Sequence, residues 1–244
     1  MNQQQYLDAV AAMRKDRRIS QIQHGLINNN FIRTINYHST PAFDKKKFEG
    51  QLQFLSRYFA PVKLSDIDHF VDAGRWDKDK PGVILAIFEG FRNHYDVMYP
   101  LLEEYGMTGW FYIPAFYPDV PVQEQKAFSE AHELHITHPE EYPDGRFALN
   151  WDEIKEISKN HMICCHSGSH FEIKLDSSNE DMEREIVEAH KRFKEEGLDV
   201  DVFCWLYGEE YSYNPRAAEY IQKAGYRYVV GNLKMERVVD NKPK

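Results

Sequence analysis

The chain has 244 residues, 42% of them apolar, enough to bury one large core, and its length suits a single α/β unit covering residues 1–244. Its 30 basic and 39 acidic residues give a net charge of -9, with no block of Lys and Arg that could follow a phosphate backbone, which argues against nucleic acid as a partner. Cys164, Cys165 and Cys204 lie in apolar runs without a CxxC pair, and no segment has the apolar length of a signal peptide or a membrane span. These features predict a soluble, cytoplasmic protein with buried, reduced thiols.

Residues 1–30 are expected to be peripheral, with an amphipathic helix over 3–17 that carries Tyr6, Val10 and Met13 on one stripe. Residues 31–37 read as a buried strand ending at His38, and 44–58 as a helix with Phe48, Leu52 and Leu55 at helical spacing. A short strand is expected over 62–64 and a capped helix over 65–70. Val83 to Phe88 is so apolar that both faces of the strand must be buried; it ends at Glu89-Gly90. A helix over about 93–105 follows, closed by Gly106, and then a strand over 108–113. Residues 114–150 form a polar insertion, expected over the mouth of the fold as a lid. Its His132, His135 and His138 read as solvated residues rather than a second metal cluster.

The strand-helix-strand unit repeats at 151–165 and 202–230, which predicts a parallel α/β sheet, taken here as a distorted barrel of about seven parallel strands. The helix over 181–196 is amphipathic, with its charges read as a solvated face, and 226–230 is the last clear strand. Three strand ends then present polar groups: Glu89, the pair His166 and His170 in His-Ser-Gly-Ser-His, and Tyr207-Gly208. In a parallel sheet such ends share one face, where sites are built. Two imidazoles and a carboxylate there could hold a metal with an open position, most simply zinc, which acidifies water and polarises a carbonyl. The Tyr207 backbone amide could serve as an oxyanion donor.

On these residues the chain resembles the polysaccharide deacetylase, or NodB-like, family over roughly 31–231. His166 to His170 resembles the motif whose two histidines bind metal, and Trp151 to Ile154 resembles the helix start before it. Gly90 to Asn93, Tyr99 to Leu102 and Tyr105-Gly106 resemble the stretch after the first motif, and Ile35 to His38 the first strand. Tyr207-Gly208 and Ala224 to Tyr226 resemble the third motif and a late strand. The resemblance implies a NodB-like barrel, an N-acetylated carbohydrate substrate, and a metal at Glu89, His166 and His170.

The departures are equally specific. An ungapped match puts Phe88 where the family has its aspartate base and Glu89 where it has the ligand; a one-residue deletion is the alternative match, leaving Glu89 one role only. Cys204 stands in place of the arginine that tethers the base, and Leu206 in place of the usual proline. No C-terminal segment carries the family's acid histidine. Proton transfer would then fall to His38, Glu209 or Glu210. Two readings stand: a metal-dependent hydrolase removing N-acetyl groups from a sugar or polysaccharide precursor, and a non-catalytic protein of this fold binding a glycan or a partner.

Overall fold

A computed structural model of the protein describes residues 31–207, 214–231 and 234–238, with the isolated positions Asp8 and Ala12. The helix expected over 3–17, and Gly208, Glu209 and Glu210, lie outside the described residues. Among the described residues seven strands run parallel: β1 (Ile32–Tyr37), β2 (Ala60–Pro61), β3 (Gly82–Phe88), β4 (Gly109–Ile113), β5 (Met162–Cys165), β6 (Val202–Cys204) and β7 (Tyr228–Val230). Their order is β1-β3-β4-β5-β6-β7, and β2 pairs with β3 at Gly82 and Val83, below the start of the β3–β4 pairing at Leu85. An eighth strand, β8 (Met235–Arg237), returns antiparallel along β7. The sheet curls into an open half-barrel with β1 and β8 as its edges.

Alternation along β3 divides the core. Val83, Leu85 and Ile87 face outward onto helices through Leu52, Leu101, Ile154 and Phe193, whereas Ile84 and Ala86 face the concave side with Trp110, Tyr112, Cys164 and Tyr228. Leu85 is fully buried, so truncating it to alanine would cost about 2–5 kcal/mol. All three cysteines are free and buried.

Several expectations need correction. β1 is not buried: among the described residues only β3 pairs with it, and Arg33, Thr34 and Asn36 are exposed. The short strand is Ala60–Pro61 rather than 62–64; Val62 and Leu64 are core residues, and Asp66 accepts the Lys63 amide at 2.8 Å to start the helix Leu64–Ala73. The helix after Glu89 opens with a π-type turn, His94–Met98, before its α part, Tyr99–Glu104. Pro100 has no N–H and its ring collides with the carbonyl of Asp96, so the preceding turn widens and the Tyr99 amide reaches back to His94. The helix after β5 likewise has three parts, Asn179–Met182, a π-type Glu183–Glu188 and Ala189–Glu195. β8 was not foreseen: Met-Glu-Arg carries no apolar alternation, and its pairing with β7 alone makes it a strand.

Candidate active site

The parallel strands bring their C-terminal ends to one rim, and a cavity of about 1050 Å³ opens there. His38, Glu89, His166, His170 and Tyr207 all line it. β3 delivers Glu89, whose amide donates to the Tyr112 carbonyl at 2.9 Å as the last rung toward β4. β5 delivers the histidines: the His166 amide donates to the Ile113 carbonyl at 3.0 Å, and the chain then turns back so that the two rings stand 5.2 Å apart. Gly168 makes that turn feasible, because a Cβ there would lie 2.3 Å from the Phe116 ring.

Each imidazole is locked by its Nδ1. That of His166 meets the Cys204 carbonyl at 3.3 Å and that of His170 the His132 carbonyl at 2.6 Å. A carbonyl can only accept, so Nδ1 carries the proton in both rings and the Nε2 lone pairs are left for the cavity. Burial pushes the pKa of His166 down to about 3 and that of His170 to about 4, with His166 held down further by His170, so both rings are neutral at neutral pH.

Glu89 is buried, and among the described residues its Oε2 has no hydrogen-bond partner. Burial raises its pKa to about 8, and the nearest cationic candidate, His38 Nε2, stands 3.9 Å from Oε1. A buried carboxylate oxygen without a donor costs free energy unless something fills it. Two neutral imidazoles presenting Nε2 and, in the same cavity, a carboxylate oxygen without a partner among the described residues are donors whose chemistry suits a divalent cation, which would hold the carboxylate ionised. Among the described residues, no three His, Cys, Asp or Glu side chains are drawn together closely enough to constitute a metal site outright. That holds for His132, His135 and His138 too; His138 instead bonds to Glu140 at 2.8 Å and stacks on Phe43.

Phe88, which the ungapped match sets at the family's base position, lines the cavity. Its ring stacks between His38 and Tyr112, at centroid distances of 5.4 and 4.7 Å, and tilts against His166 at 5.2 Å. The His38 pKa is lowered, by burial first and by His135 second. Tyr207 is half exposed, and its hydroxyl donates to Glu133.

The insertion contributes more than the sequence suggested. Glu133 and His135 line the cavity, and the His132 carbonyl orients His170. The segment is tied to the loop after β1 through Ser39–Thr137 at 2.6 Å and through Glu141, which accepts the amides of Ala42 and Phe43. Histidines recurring every three residues were the available signal. Backbone strain also concentrates here: of the six non-glycine residues with positive φ among the described ones, Glu89 (85°), Glu133 (56°), Ser167 (62°), His170 (60°) and Tyr207 (60°) belong to this rim.

The sequence model of one family, Polysaccharide deacetylase, matches residues 77–229. No curated protein matches the chain in sequence. Among solved structures, a deacetylase of Streptococcus pyogenes, PplD, in complex with acetate superposes with a TM-score of 0.61 at 12% identity, over 87% of this chain and 88% of that one. A de-N-acetylase from Aggregatibacter actinomycetemcomitans gives 0.61 at 16% identity, over 86% and 91%. IcaB from Ammonifex degensii gives 0.59 at 17%, over 83% and 84%. At these identities the likeness establishes a shared fold.

Proposed function

Since the chain belongs to the polysaccharide deacetylase family, and with it to hydrolases of the deacetylase type acting on carbon–nitrogen bonds, we propose that it removes N-acetyl groups from a sugar or polysaccharide precursor with the help of a divalent metal, zinc first among them. The observation that carries this reading is the partnerless Glu89 Oε2 in the same cavity as two Nδ1-locked imidazoles. Glu89, His166 and His170 would hold the cation. Bound there, it would supply Lewis acidity toward the acetamide carbonyl and toward water. We place the substrate in the cytoplasm, as a precursor rather than a finished wall polymer.

The chain's own residues have the remaining tasks. In hydrolysis a water oxygen bonds to the carbonyl carbon, the C–N bond breaks, acetate departs and the sugar nitrogen takes up a proton. His38 is neutral at neutral pH, at the cavity edge and 3.9 Å from Glu89, so it can take the proton of the attacking water and return it to the leaving amine. The Tyr207 amide is the proposed donor to the developing oxyanion. The stacked rings of Phe88 and Tyr112 give the cavity an apolar wall on one side.

Phe88 also favours a second reading, glycan recognition with little or no turnover, because phenylalanine cannot accept a proton. Elemental analysis of protein purified without chelator, with acetate release from an N-acetylated oligosaccharide, separates the two. Near-stoichiometric zinc, lost in His166→Ala and Glu89→Ala together with acetate release, is the expected result. Oligosaccharide binding with no metal, even after zinc is supplied, would sink the hydrolytic reading.

A further inference from the structure

The long helix after β5 buries Met182, Ile186, Ala189 and Phe193 at intervals of three and four residues. Glu185 lies three residues after Met182 and four before Ala189, a position on that apolar face, and it has no exposed surface at all. The expectation of a purely solvated set of charges on this helix fails here. The π-type segment Glu183–Glu188 contains the residue, and such bulges re-aim side chains.

Both carboxylate oxygens are engaged. Oε2 accepts the Ser169 amide at 2.7 Å; Oε1 accepts the Ser169 hydroxyl at 2.8 Å and lies 2.7 Å from a guanidinium nitrogen of Arg184. Ser169 directly precedes His170, whose own backbone is left-handed. The first half of the loop is held from elsewhere: the amides of Ala115 and Phe116 donate to the Ser167 and Gly168 carbonyls, and the Phe171 amide to the Ser167 hydroxyl. An apolar side chain at position 185 would avoid the desolvation of a carboxylate, so its burial calls for a reason beyond packing.

We infer that Glu185 is a positioning residue for the hydrolysis proposed above, a buried carboxylate that clamps Ser169 and so fixes the spacing of His170 from His166 and the direction of its Nε2. The inference rests on the functional reading of those two imidazoles. Its mechanical part, the clamp, does not depend on metal.

Three readouts on Glu185→Gln test it: amide hydrogen exchange in the metal-free protein, zinc affinity by chelator competition, and kcat and KM for acetate release. A glutamine keeps an acceptor for the Ser169 amide but loses the charge, and its NH2 faces the Arg184 guanidinium, which can only donate, and a Ser169 hydroxyl that must turn round to accept. Exchange at Ser169 and His170 is expected to rise roughly 10–100-fold while strand β5 stays unchanged. Zinc affinity should fall roughly 10–100-fold, and kcat should fall with KM within about twofold. Ser169→Ala keeps the amide bond and should show smaller losses of the same sign; it decides the matter if Glu185→Gln does not fold. Wild-type exchange and wild-type zinc affinity in the folded variant, or a loss confined to melting temperature, overturn the assignment. A wild-type protein that binds no zinc strikes the metal reading, and the exchange measurement still decides the clamp.

Discussion

Two pairs of buried histidines in this protein share an electrostatic signature and differ in what they can do. His94 and His161 lie on the helix side of the sheet; His166 and His170 lie at its rim. Burial lowers the pKa of all four, with His94 and His166 both at about 3. Each histidine of the core pair spends one nitrogen on the fold: His94 Nε2 meets the His38 carbonyl at 3.2 Å with the ring against Phe91 and Phe111, and His161 Nδ1 accepts the Gly109 amide at 3.1 Å. His161 Nε2 stands 2.9 Å from Glu103 Oε1, off the line of a good hydrogen bond, and His94 Nδ1 has no partner. At the rim each Nδ1 is held and each Nε2 belongs to a ring that lines open space. A depressed pKa therefore does not identify a functional histidine; a locked nitrogen with its opposite facing a cavity does.

The largest expected effect tests that division directly. His166→Ala and His170→Ala should each lose bound zinc and reduce acetate release on the order of 10³-fold, whereas His94→Phe should keep zinc stoichiometry. Loss of zinc in His94→Phe alone would break the comparison. Next comes Phe88→Asp, which removes a ring packed on His38, Tyr112 and His166 and adds a carboxylate to a site that has a cysteine, not an arginine, at position 204. Urea unfolding of the metal-free variant should show a loss of roughly 3 kcal/mol, partly recovered by adding Cys204→Arg. His161→Leu should cost about 1–3 kcal/mol by leaving the Gly109 amide unpaired, with kcat unchanged.

The remaining effect is a slope rather than a single step. His94 takes a proton near pH 6.5 when unfolded and at about 3 when folded, so its folded pKa is depressed. Its contribution to stability is full above pH 6.5 and drains as pH falls from 6.5 toward 3. In His94→Phe the acid limb of the stability curve should flatten by up to ~1.4 kcal/mol per pH unit within that window, measured by denaturation at several pH values.

Strands whose apolar character is local were legible in the sequence. β5 closes the unit expected over 151–165 at Cys165, and β3 lies within one residue of its expected bounds, because both are continuous apolar runs closed by polar residues. The histidine pair was legible for the same reason, as a polar motif leaving a buried strand. Glu133 and His135 were not, because their place at the cavity depends on contacts such as Ser39–Thr137, made 98 residues apart. Glu185 left a faint mark, an acidic residue in register with Met182 and Ala189, which helical charge patterning concealed. β8 left none, since its three residues become a strand only through β7.

The left-handed residues at the rim also bear on how this protein could be improved or could decay. Glycine at Glu89, Ser167, His170 or Tyr207 would relax the backbone. At Glu89 it would also abolish a buried carboxylate. A laboratory selection that rewarded heat resistance alone could relieve that strain only by removing side chains the proposed chemistry uses. Any stabilising library for this fold should therefore hold those four positions constant and draw its diversity from the helix faces.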